Sequence, residues 1–222
     1  MERKNADPLA GLPTVGERNY SAAGTRILNT ARLRFKTRGK SFAMCVEGFI
    51  LDEVGRVSDA SSLGNVPAKW PGFAGWRRRS DKVPEAFWRT LVADRGPHGQ
   101  NAPTFYPRAC KEALSATVEQ RMPLDTKLMI NHGQCTIIAE FLRRVQAVIW
   151  NRRMMYTKYG DYLGLIPEHA QEDDLVCIFY GCSVPVLLRK QGKAPALLLR
   201  ILRKMSKRLQ MSSSGIGRSG AI

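Results

Sequence analysis

One stretch, Arg152 to Arg189, constrains the fold more than any other, because short apolar runs alternate there with sharply turning residues. Met154-Met155-Tyr156-Thr157 reads as a strand, Lys158-Tyr159-Gly160-Asp161 as a tight turn, and Tyr162-Leu163-Gly164-Leu165-Ile166 as the returning strand. Glycine supplies the positive φ that hairpin turns demand, and Pro167, which cannot donate to a ladder, stops the second strand. The acidic loop Glu168 to Asp174 then leads into Leu175-Val176-Cys177-Ile178-Phe179-Tyr180, apolar almost throughout and so expected to be buried on both faces. Gly181-Cys182 turns the chain again, and Val184 to Arg189 forms a last strand, with Pro185 suiting an edge. Short strands on tight turns predict a small meander or part of a barrel.

The same stretch carries a family resemblance. Tyr156-Thr157, Gly160, Gly164-Leu165 and Pro167 come in order, followed by Asp173-Asp174-Leu175-Val176-Cys177-Ile178, Gly181, Pro185 and Leu188-Arg189. This set resembles the C-terminal region of fungal heterokaryon-incompatibility (HET) domain proteins, and Met44 to Val57 and Glu85 to Arg95 fit the same family, so the likeness runs from about Tyr20 to Arg189. One departure is Glu172-Asp173 where the family has Gly-Asp, which alters a turn. The resemblance implies a sheet built from both ends of the chain. It also implies a non-enzymatic, cytoplasmic regulatory or interaction region acting in non-self recognition and in the cell death that follows fusion of unlike hyphae. Its implied partner is a HET-domain protein or another incompatibility factor. The HET domain itself lies upstream of everything resembled, so none of its residues is expected in this chain, which would be inactive alone or a truncated product.

Upstream, the segment 1–22 is polar and punctuated by Gly and Pro, which predicts a disordered or extended lead. An α+β domain is expected over 23–189, with strands in 30–58 and 153–189 and a helical insert over 81–151. Arg32 to Phe35 and Phe42 to Leu51 read as strands joined by a basic turn, with Asp52 to Ser58 continuing as strand or edge. Gly, Pro and Ser crowd 58–80, which therefore reads as a long surface loop. A helix over Asp81 to Ala93 is capped by Asp81 or Ser80, with Phe87, Trp88, Leu91 and Val92 on one face. A second helix spans Tyr106 to Arg121, with Ala109, Ala113, Leu114 and Val118 inward. Within Asp125 to Asn151 a third helical stretch carries Ile137, Ile138, Phe141, Leu142, Val145, Val148 and Ile149 at helical spacing, with Gly133 a possible break.

The net charge of +16 invites a nucleic-acid reading, and its distribution limits that reading. Nine basic and no acidic residues lie in 189–222, leaving +7 of the +16 on residues 1–188. Charge therefore describes a basic tail, 190–222, more than the body. Within the tail, 196–209 has an apolar stripe (Leu197, Leu198, Ile201, Leu202, Met205, Leu209) opposite a basic face, the pattern of an amphipathic helix that contacts anionic membrane or calmodulin. In the body, Trp70, Phe73 and Trp76 stand beside Arg77-Arg78-Arg79, the composition of a loop that binds single-stranded nucleic acid by stacking and phosphate contact. A small basic module using this loop (70–79) and the tail is thus the alternative to the incompatibility reading. The simpler expectation is that the aromatics pack while the arginines face water.

No constellation for catalysis, cofactor or metal is predicted. His98, His132 and His169 lie in separate segments, and none shares metal-ligand spacing with another His, Cys or carboxylate. His169 with Glu168, Glu172, Asp173 and Asp174 lacks the alternation of a calcium loop and reads as a solvated acidic loop. The five cysteines (45, 110, 135, 177 and 182) form no C-x-x-C pair and predict reduced, mostly packed thiols. Gly215 to Gly220 matches G-x-G-x-x-G by letter, but no helix can follow it. No apolar run is long enough to span a bilayer, and the N-terminus has no secretory h-region.

Overall fold

A computed structural model describes residues 22–24, 26, 33–38, 41–132, 136–182, 184–191, 194–196 and 203–206. Three strands precede the helices: β1 (Arg34–Arg38), β2 (Ser41–Cys45) and the long β3 (Gly48–Ala60). The helices are α1 (Trp70–Phe73), α2 (Glu85–Leu91), α3 (Tyr106–Gln120), α4 (Thr126–His132) and α5 (Thr136–Ile149), with a 3-10 turn at Pro97–Gly99. The chain returns to strand in β4 (Arg152–Thr157), β5 (Leu163–Pro167), β6 (Leu175–Phe179), β7 (Val186–Gln191), β8 (Ala194–Ala196) and β9 (Arg203–Ser206). The fold is α+β, with its helices inserted between two sets of strands.

β1 and β2 form a separate hairpin, and the remaining strands form one antiparallel sheet in the order β8-β7-β6-β3-β4-β5-β9. The sheet is open at both ends and does not close into a barrel. β3 joins its early and late parts by dividing its length between two partners. Gly48 to Glu53 pair with β6, with Phe49 opposite Ile178 and Ile50 opposite Cys177. Val54 to Ala60 pair with β4, with Val54 opposite Thr157 and Val57 opposite Met155. Register shifts fall at Ile50/Asp52 and again beyond Val54, where bulges let one strand bend from one partner to the next.

Burial follows the period of two along the strands. Met154, Leu163 and Leu165 face a large cluster with Trp70, Phe87, Leu91, Tyr106, Phe141, Leu142 and Val145 from the helical side. Their alternates, Met155 and Ile166, face a second cluster with Val54, Val176 and Leu187. β5 lies between these two clusters, and β6 lies between the second, through Val176, and a third made by Leu175, Cys177 and Phe179 with Val186, so both strands are buried at every position and read as unbroken hydrophobic runs.

Several expectations are corrected. The segment 58–80 is not a surface loop: β3 runs on to Ala60, Val66 bridges Leu124, and Trp70 and Trp76 are fully buried. Each indole N–H finds a carbonyl, Trp70 on Asp59 and Trp76 on Arg78, so these large rings can sit inside without a stranded donor. Asp81 does not cap α2, whose N-terminal boundary is Pro84; Asp81 instead accepts from the Arg78 amide. The 125–151 stretch, by contrast, agrees with a division at Gly133: it holds two helices, α4 ending at His132 and α5 starting at Thr136, with 133–135 outside the described residues. In the expected tail helix 196–209, the described residues Ala196 and Arg203–Ser206 are extended. β9 pairs with β5, Leu163 opposite Ser206, and covers ladder groups that β5 would otherwise leave open. The rest of that stretch, and the 1–22 segment apart from Ala22, lie outside the described residues.

The close approach of β3 to β6 gives a direct prediction. A Cβ on Gly48 would lie 2.3 Å from the Ile178 carbonyl oxygen and 3.0 Å from the Phe179 Cα, both backbone atoms that cannot rotate away. Gly48→Ala is expected to cost about 1–3 kcal/mol, read as a lower urea midpoint at unchanged slope.

Candidate functional site

Two places gather polar side chains: the bend of β3, and a cleft on the helical side.

At the bend, Asp52 is 5% exposed, and its carboxylate accepts from the backbone N–H of Glu53 (2.7 Å), Tyr159 (3.2 Å) and Gly160 (2.7 Å). The Thr157 hydroxyl also donates to it, and accepts in turn from the Tyr162 amide at 3.0 Å. Asp52 therefore ties the β4–β5 turn to the middle of β3. Burial alone would raise its pKa, but the combined donors from Glu53, Gly160, Thr157 and Tyr159 outweigh that and hold it below the ordinary carboxylate value.

Asp174, 3% exposed, makes a two-pronged pair with Arg189, Nε to Oδ1 and Nη2 to Oδ2, both at 2.8 Å. It also accepts from the Gln171 amide at 2.9 Å, while Arg189 reaches the His169 carbonyl at 2.9 Å. The Asp174 pair raises the Arg189 pKa against the opposing effect of burial. Backbone links complete the junction: Val54 donates to the Asp174 carbonyl and Asp173 to the Val54 carbonyl, each at 2.8 Å. Around it lie exposed pairs of Glu53 with Lys158 and Lys190, and of Asp173 with Lys158.

Polar residues that carry the resemblance thus meet at one strand crossing: Thr157, Gly160, Asp173, Asp174 and Arg189. Each is occupied in holding strands and turns together. The acidic loop expected to be solvated is so only in part, because Asp174 is inside. Sequence reasoning also passed over Asp52; its one signal is a carboxylate between Leu51 and Val54 in an otherwise strand-like run.

On the helical side, Arg77, Arg78 and Arg79 are exposed and face α3 across a cleft of about 680 Å³. Lys111, Val118, Glu119 and Arg121 line the α3 wall, and Ser80 completes the loop wall. Five cations face a single carboxylate, Glu119, which lies 3.6 Å from Arg79. The aromatics beside this loop do not accompany the arginines into solvent. Trp70 and Trp76 are in the core, and the half-buried Phe73 lies 5.4 Å from the Tyr156 ring.

The remaining reactive side chains are dispersed. Among the described residues no group of three or more His, Cys, Asp or Glu is arranged to hold a metal ion. His98 is exposed, His169 pairs with Glu168 at 3.2 Å, and the His132 side chain lies outside the described residues. Cys45, Cys110, Cys177 and Cys182 are free thiols; burial pushes Cys110 strongly up and Cys177 up to about 11, keeping both protonated and poorly nucleophilic at neutral pH. No described helix is long and apolar enough to cross a membrane. Comparison of the chain with protein-family models, with curated proteins and with solved structures finds no match.

Proposed function

We propose that the chain is a non-enzymatic recognition module of a heterokaryon-incompatibility-like protein, acting in the cytoplasm with a HET-domain partner. In this role it contributes to non-self recognition and the cell death that follows fusion of unlike hyphae. The carrying observation is the fate of the motif residues: Thr157, Gly160, Asp174 and Arg189 are consumed in bracing the β3 crossing. A motif that encodes a brace leaves recognition to the surfaces which the brace holds in place.

Expression of the full chain in a fungal host, with and without a HET-domain protein, tests the proposal. The expected result is co-purification of the two and growth arrest only when both are present. Absence of both binding and a growth phenotype would remove the reading.

The second reading, a basic nucleic-acid module, keeps the Arg77–Arg79 cations but loses its stacking platform, because Trp70 and Trp76 are buried. Its signature would be binding to single strands whose affinity falls steeply with salt and persists after removal of residues 190–222.

A further inference from the structure

We propose that the cleft between the Arg77–Arg79 loop and α3 is a binding site for a compact, multiply phosphorylated anion. The inference is independent of the incompatibility reading.

Its cations come from two directions. Arg77, Arg78 and Arg79 approach from the loop, Lys111 from the body of α3 and Arg121 from its C-terminal end. Repulsion among four exposed cations, Arg77, Arg78, Arg79 and Arg121, and the half-buried Lys111 is only slightly relieved by Glu119, half exposed and 3.6 Å from Arg79. An anion carrying several phosphates would relieve it far more, and guanidinium groups match phosphate oxygens in two-pronged fashion.

The loop is also held in shape before any ligand arrives. The Arg78 carbonyl accepts from the buried Trp76 indole at 2.8 Å and from the Asp81 amide at 3.0 Å. The Arg78 amide donates to the Asp81 carboxylate at 3.0 Å. Trp76 itself lies against Phe87 of α2, ring centroids 6.2 Å apart, so the hydrophobic core fixes where the arginines stand. A preformed loop spares the ligand much of the cost of ordering it.

Size and surroundings favour a compact ligand over a strand. The five cations line the walls of one open cleft of about 680 Å³, which suits a compact ligand held from two sides. Val118 is the sole apolar side chain of the lining, and the neighbouring indoles are sealed in the core, so bases have no exposed ring to stack on.

The test uses the full chain, tail included, and inositol hexakisphosphate as the probe, with calorimetry at physiological salt. One saturable site is expected. Arg77→Ala/Arg78→Ala/Arg79→Ala, all at exposed positions, should weaken it at least tenfold without changing the thermal midpoint. Lys127→Ala/Arg143→Ala, which removes two exposed cations elsewhere, should leave it within about twofold. Vesicles containing phosphatidylinositol bisphosphate, compared with phosphatidylserine vesicles of equal charge, identify the source of the phosphates. Binding selective for the inositol lipid and lost in the triple variant assigns a lipid headgroup; binding of the free hexakisphosphate alone assigns a soluble ligand; both support the site. The proposal is overturned if the triple variant binds like the parent, if no saturable binding occurs, or if a single-stranded RNA displaces the hexakisphosphate and is itself lost in the triple variant.

Discussion

Replacing Asp52 with alanine is expected to lower stability by about 3–5 kcal/mol, the largest effect of any single side chain at the β3 bend. Its carboxylate takes four donors, from Glu53, Thr157, Tyr159 and Gly160, all of which lose that acceptor in the variant. Hydrogen bonds to a charged group contribute about 1.5–3 kcal/mol each, and they are not additive at one site. At about 2–4 °C per kcal/mol for a chain of this size, the thermal midpoint should fall by about 10 °C or more. Asp52→Asn keeps the shape but presents an amide N–H₂ to amide donors, so it should recover only part of the loss.

The same carboxylate gives stability a pH dependence of known sign. The pKa of Asp52 is lower in the folded chain than the unfolded value of about 3.9. Its contribution is therefore present in full above that unfolded value and is lost as pH falls through the folded one. The stability gap between the parent and Asp52→Asn should be constant at neutral pH and shrink only in acid, as read from urea midpoints across the pH range. A gap that shrank toward alkaline pH would contradict the assignment.

Arg189→Ala is expected to cost about 3 kcal/mol. It leaves the Asp174 carboxylate, 3% exposed, with the Gln171 amide as its remaining donor named at the junction. That figure is at the low end for orphaning a buried charge, because Arg189 is itself 29% exposed and water can enter where it stood. Lysine should not rescue the site, since a single ammonium cannot span both carboxylate oxygens. Adding Asp174→Asn to Arg189→Ala removes the stranded charge, so the double variant should be more stable than Arg189→Ala alone. Denaturant midpoints of the four members of the cycle check this.

How much of this could be read from the sequence depended on whether the residues concerned make a local pattern. The four late strands were legible because Gly160, Pro167 and Gly181 punctuate short apolar runs. The predicted helix from Tyr106 agrees with α3 to within one residue, since its inward positions repeat at helical spacing and Met122-Pro123 follows it. The 58–80 segment reads as surface loop because irregular chain has no period and Gly and Pro crowd it, yet the expectation that its aromatics pack while the arginines face water holds for Trp70, Trp76 and Arg77–Arg79. The tail stripe in 196–209 satisfies helical spacing, yet at 203–206 an available edge on β5 recruits a strand. Asp52 escaped notice because its donors at Tyr159 and Gly160 are more than a hundred residues away in the chain. Asp174 is indistinguishable by type from Glu172 and Asp173, and only its facing Arg189 sets it apart. Likewise Lys111 and Arg121 join Arg77–Arg79 only through packing of the loop against α3.

The claim on which the functional reading depends is that the polar motif braces β3 and performs no chemistry of its own. Amide hydrogen exchange on Asp52→Ala, at a temperature where the variant remains folded, tests it most directly. Protection should fall together in Gly48–Glu53, in β4 and in β5, while α3 keeps its own, and partner binding should fall only as far as the folded fraction does. A variant with parental protection throughout β3 that nevertheless fails to bind or to arrest growth would contradict the account.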